Sequence, residues 1–119
     1  MAWSAKTNLL TNQSVIHSGS PEQTALVTLN PGEQAHVQLD IDWPASPTDD
    51  LIVRVKSALD ADEDTIPIWS QTVSASGTDP DFISFLVSGV YKFLVELEVD
   101  GTSDTIQVTV DYRKDGVSM

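Results

Sequence analysis

Apolar and polar residues alternate one for one along much of the chain. The clearest run is 35–43, where Val37, Leu39, Ile41 and Trp43 fall on one side and His36, Gln38, Asp40 and Asp42 on the other. Successive side chains of a strand point to opposite faces, so this run predicts a β-strand with one buried and one wet face. Residues 51–59 repeat the pattern, with Leu51, Val53, Val55 and Leu59 set against Arg54 and Lys56. Residues 90–99 place Tyr91, Phe93, Val95, Leu97 and Val99 inward and Lys92, Glu96 and Glu98 outward. Residues 105–112 place Ile106, Val108, Val110 and Tyr112 inward. Weaker strands are predicted over 23–29, 65–73 and 82–88. No stretch keeps the 3.6-residue period of a helix over three turns.

The turn residues fall between these runs. Asn30-Pro31-Gly32-Glu33 has Pro where φ is preset and Gly where φ must be positive, which predicts a type II turn. Asp100-Gly101-Thr102-Ser103 joins two alternating runs and predicts a hairpin, and Ser88-Gly89 a tight turn or bulge. Seven strands punctuated every eight to twelve residues predict an all-β chain, a single antiparallel β-sandwich of about seven to eight strands.

Residues 1–20 depart from the pattern. Trp3, Leu9, Leu10, Val15 and Ile16 are set among Ser, Thr, Asn and Gln without strict alternation. The segment is expected to be an edge strand or an extended arm that lies on a neighbour, with these five as its apolar anchors. Residues 21–119 then form the sandwich domain.

Charge narrows the partners. Eighteen acids face six bases, a net −12. Such a surface repels nucleic-acid phosphates and anionic lipid, so neither nucleic acid nor membrane is expected as a partner. Eight acids fall in 40–64: Asp40, Asp42, Asp49, Asp50, Asp60, Asp62, Glu63 and Asp64. The N-terminus lacks a basic stretch followed by an apolar one, so no signal peptide is expected and synthesis in a cytoplasm is.

Candidate chemistry is sparse. There is no cysteine, which removes disulfides, thiol nucleophiles and Cys-based zinc sites. The histidines are His17 and His36, no Gly-x-Ser-x-Gly occurs, and His36 lies on the wet side of its strand. Asp60-Ala61-Asp62-Glu63-Asp64 opens like a calcium loop, but an EF-hand needs Gly and Glu where Thr65 and Gln71 stand. His36, Asp40 and Asp42 share a strand face, but same-face residues about 7 Å apart are too far for three adjacent ligands on one ion. Asp60, Asp62 and Asp64, helped by Asp49 or Asp50, are the better metal candidate, and a solvated acidic loop is the preferred reading. No cofactor and no catalytic residue is expected. Of the three tryptophans, Trp43 is expected in the core, Trp69 partly exposed and Trp3 in the N-terminal segment.

Gly32-Glu33 before the Val37-Leu39-Ile41 run, and Ser88-Gly89-Val90-Tyr91-Lys92-Phe93 before Asp100-Gly101, resemble the second and sixth strands of an immunoglobulin-like sandwich. Tyr91, two residues before Phe93, looks like its tyrosine corner. The missing cysteines, and the missing Trp in 51–58, depart from antibody domains, and a jelly-roll strand order fits almost as well. In size, acidity and lack of cysteine the whole chain also resembles the decoration or cement proteins of tailed-phage capsids. That resemblance implies a non-enzymatic virion structural protein, a homo-oligomer that bridges the major capsid protein or other assembly subunits. The alternative is a carbohydrate-binding or adhesion module of immunoglobulin-like type, with exposed tryptophans as its platform.

Overall fold

The structure, a computed structural model, describes residues 5–58, 66–75 and 81–115. Trp3, Leu59, Asp60, Asp62, Glu63 and Asp64 lie outside the described residues. The strands are β1 (Thr7–Val15), β2 (Glu22–Gln23), β3 (Val27–Thr28), β4 (Gln34–Asp42), β5 (Asp50–Ala58), β6 (Ile66–Val73), β7 (Asp81–Ser88), β8 (Lys92–Asp100) and β9 (Ile106–Asp115). Among the described residues there is no helix, as the missing 3.6-residue period predicts.

Two antiparallel sheets pack face to face. One runs β1-β9-β4-β7, the other β2-β8-β5-β6, with β3 also on β8. β2 and β3 share one position: Gln23 faces Glu96 and Val27 faces Phe93, four steps against three. Thr24 bridges this irregularity by donating its N–H to the carbonyl of Val95 at 2.9 Å and accepting the N–H of Val95 on its hydroxyl at 3.0 Å. Successive strands change sheet everywhere except from β2 to β3 and from β5 to β6. Of the two strand orders left open by the sequence, this is the jelly roll.

The immunoglobulin-like order is corrected here, and with it the hairpin at 100–103. β8 and β9 lie in different sheets, whereas the sixth and seventh immunoglobulin strands pair in one. The 100–103 turn therefore carries the chain across the sandwich. Tyr91 is corrected too: it is half exposed, its ring 5.2 Å from the ammonium of Lys92, and it is no buried corner.

The core is what the alternation dictates. Val37, Leu39, Ile41, Leu51, Val53, Phe93, Leu97, Ile106, Val108 and Val110 are fully buried between the sheets. Each such side chain contributes about 1.5–3 kcal/mol relative to leaving it in water, less for Val than for Phe. The 30–33 turn forms as predicted, with Gly32 at φ 86° and the N–H of Glu33 donating to the carbonyl of Asn30 at 2.9 Å.

Residues 7–15 are an edge strand of the four-stranded sheet, not an arm leaving it. β1 pairs β9 from Thr7↔Tyr112 to Val15↔Ile106, with two bulges on the way. At the second, Asn12 takes φ 44°, which Asn tolerates better than other side chains, and donates its N–H to the Thr109 hydroxyl at 3.0 Å.

Candidate functional site

Two open sheets have four edges, and an edge strand recruits further strands unless something blunts it. β1 is blunted by its bulges and by Asn8, whose side-chain amide donates to the carbonyl of Leu10 at 2.9 Å. β2 and β3 are two residues each and out of register with one another. β6 contains Pro67, which has no N–H, and a bulge that leaves Ile68 without a partner on β5. β7 carries none of these devices. It follows β4 without a register shift from Ile41↔Asp81 to Gln34↔Ser88, and has no proline, lysine or glycine. Among the described residues its other edge pairs with no strand.

β6 and β7 lie on the same side of the sandwich. The rings of Trp69 and Phe85 meet across it at 4.7 Å between centroids, tilted by 37°. Ile68, Trp69, Phe85, Leu86 and Val87 line a groove of about 170 Å³ between the two strands. Leu86 is 59 % exposed, Phe82 54 %, Ile68 45 % and Trp69 37 %. Apart from Asp81, neither strand carries a charged residue, in a chain with eighteen acids and six bases. Contiguous exposed apolar surface is the kind that contacts between proteins use.

The anchors expected in residues 1–20 fare differently. Val15 is fully buried in the protein's own core, and Leu9 and Leu10 pack against that core. Ile16 is exposed, at 45 %. The pattern of 82–88 held the missed signal: Phe82, Ile83, Phe85, Leu86 and Val87 are apolar on both faces of one strand, where alternation would leave one face polar.

The outer face of the five-stranded sheet is charged but closed upon itself. Glu96, on the central strand β8, faces Gln23 on one side and Arg54 on the other. Its carboxylate accepts from Arg54 at 3.0 Å, from Lys56 at 2.8 Å and from Gln23 at 2.7 Å. Burial alone would raise the pKa of Glu96; the bonds from Lys56, Gln23 and Arg54 outweigh it and hold the carboxyl below its usual range. Glu98 is also held low, by the backbone N–H of Gly19 first and then by Arg54. Arg54 is raised in turn, mainly by its bond to Glu98.

At one end of the sandwich, two carboxylates clamp each other's loops. Asp49 accepts the N–H groups of Ser103 and Asp104, each at 2.8 Å, and Asp104 accepts those of Thr48 and Asp49 at 2.7 and 2.8 Å. The bonds from Asp49 and Thr48 hold Asp104 below its usual pKa. Asp50 accepts the N–H of Ala75 at 2.8 Å. Asp49 and Asp50, offered above as helpers to a metal, thus serve backbone donors. Among the described residues no group of His, Asp or Glu is arranged to hold a metal ion.

The histidines stand apart from such groups. The Nε2 of His17 lies 3.4 Å from the Ser20 hydroxyl, on an exposed turn closed by the Ser20 N–H donating to the His17 carbonyl at 3.2 Å. That turn brings the two side chains together on the surface. His36 lines a shallow cleft of about 250 Å³ with Lys6, Gln38, Asp111, Tyr112 and Arg113. Asp111 there accepts from Asn8 at 2.9 Å and lies 3.9 Å from Lys6. Trp43 is 5 % exposed, so it shares no sugar platform with Trp69.

Compared with known protein families, with curated proteins and with solved structures, the chain finds no match in any of the three.

Proposed function

We propose that the protein is a non-enzymatic structural subunit that works by contact, docking into a larger protein assembly through the β6–β7 side of its sandwich. The observation that carries this reading is that side itself: Ile68, Trp69, Phe82 and Leu86 exposed together, and uncharged, on a chain of net −12. Apolar area without charge gives affinity, and the acidic remainder disfavours association through the rest of the surface.

Decoration or cementing of a tailed-phage capsid, with the major capsid protein as partner, is the form of this reading that the resemblance in size, acidity and composition implies. A shell offers the same contact many times. A small sandwich holding one subunit by the β6–β7 side and touching the next by another face raises the effective concentration of the second contact. It stabilises the shell by binding only its assembled state.

The test is sedimentation. In a gradient of lysate from cells that naturally make it, the wild-type chain is expected in the fast fractions with large assemblies. Ile68→Lys/Leu86→Lys, changed only at exposed positions, is expected at the light position while still folded by circular dichroism. Wild-type chain confined to the light position would overturn the reading.

A further inference from the structure

We infer that β7 pairs antiparallel with β7 of a second copy, about a two-fold axis at Ser84, to join two four-stranded sheets into one of eight. The inference rests on the contact reading above and names one partner for the same surface.

Three observations lead to a second copy. Among the described residues, β7 is the edge without a bulge, a break or a proline. Between Phe82 and Ser88 it carries no charge, so two chains of net −12 can meet there without setting like charges opposite each other. The strand is also self-complementary in one register. Phe82, Ser84, Leu86 and Ser88 are exposed, and Ile83, Phe85 and Val87 turn inward. With Ser84 opposite Ser84 of the second copy, Phe82 faces Leu86 on the outer face, and Ile83 faces Phe85 on the inner one. Each pair occurs twice, as an isologous contact requires. A register centred on Phe85 would set Leu86 and Phe82 against serines, losing both apolar pairs. The two most exposed large apolar side chains of the described residues, Leu86 and Phe82, are those this pairing covers.

The chain has no native cysteine, which makes the register directly readable. Residues directly opposed across an antiparallel pair have Cα atoms about 4.5–5.5 Å apart, within the span a disulfide closes. Ser84→Cys is therefore expected to oxidise to a covalent dimer. Ser88→Cys, on the same face, would sit about 27 Å from its copy along the strands and is expected not to. Roughly tenfold more cross-linked dimer from Ser84→Cys than from Ser88→Cys supports the register. Adding Leu86→Lys to Ser84→Cys is expected to abolish it, with folding checked by circular dichroism. Light scattering of the wild-type chain is expected to show a dimer whose fraction rises with salt, as screening relieves the repulsion between two acidic chains. A wild-type monomer at all salt concentrations, or equal cross-linking of the two cysteine variants, would overturn the pairing. A monomer that still sediments with large assemblies overturns the pairing alone, whereas a chain absent from them overturns the contact reading.

Discussion

Glu96→Gln keeps the shape of a nearly buried side chain and removes its charge. The Glu96 side chain is 6 % exposed, against 26 % for Arg54 and 20 % for Lys56. The variant keeps an acceptor for Arg54 or Lys56 but no longer neutralises either. A hydrogen bond to a charged group contributes about 1.5–3 kcal/mol, and breaking one side of a fully buried ion pair costs about 3–5 kcal/mol. Neither figure applies undiluted, because water reaches both cations, and exposed pairs contribute only about 0–1 kcal/mol. A loss of about 2 kcal/mol is expected, which for a domain of this length lowers the melting midpoint by roughly 8 °C. Urea unfolding followed by tryptophan fluorescence measures it. In a double-mutant cycle with Arg54→Met, the two losses are expected to be less than additive by about 1 kcal/mol. A loss under about 0.5 kcal/mol with unchanged denaturant slope would refute the reasoning.

The same variant carries a pH signature. The folded pKa of Glu96 is lowered, so its contribution is present above the unfolded carboxyl pKa and is lost as pH falls through the folded one. Glu98 and Asp104, also held low, add losses of the same sign as pH falls. Subtracting the variant's stability from the wild type's cancels that background. The difference is expected to be largest near neutrality and to shrink as the carboxyls protonate. A difference independent of pH would mean that shape, not charge, is lost.

Two further substitutions probe the frame. Phe93→Ala empties a fully buried site between the sheets and is expected to cost about 3–5 kcal/mol in urea unfolding, a cost under about 1 kcal/mol counting against the core described here. Gly101→Ala is expected to lower stability by about 2 kcal/mol, because Gly101 sits at φ 152° and an added Cβ would collide with the Asp49 carboxylate that clamps the loop, while Gly19→Ala, with open space around it, should cost less.

The strands were legible because a sandwich imposes a two-residue period, and 35–43 obeys it without exception. What alternation leaves open is which strands are neighbours. The 100–103 segment shows why: Asp and Gly answer equally well for a hairpin and for a crossing between sheets, and only the pairing of β9 with β4 rather than β8 decides. Alternation puts Glu96 on the outer face of its sheet, where it stands, yet it is buried there. A polar face becomes dry when Arg54, Lys56 and Gln23 from flanking strands close over one carboxylate, and strand order must be known before those neighbours are. Val15 is hidden from the pattern for a related reason. The bulges of β1 break its alternation, so a core residue reads as one of several scattered apolar side chains.

The ion pairs and the contact surface are linked through the count of charges. Arg54 and Lys56 are held by Glu96 and Glu98, Lys114 lies 3.9 Å from Glu33, and Lys6 lies 3.9 Å from Asp111. Four of the six bases are thus engaged with the chain's own acids, which leaves little positive charge to attract another copy. A second acidic chain approaching most of the surface therefore meets net repulsion, weakened by salt but not reversed. Approaching β7 it meets serines, Phe82 and Leu86, on a strand that carries no bulge, proline or lysine. Pairing of two copies through β7 would set the contact on a stretch without charge from Phe82 to Ser88, so a lysine at Leu86 should weaken pairing by spoiling the apolar match, even though it lowers the net repulsion between the chains.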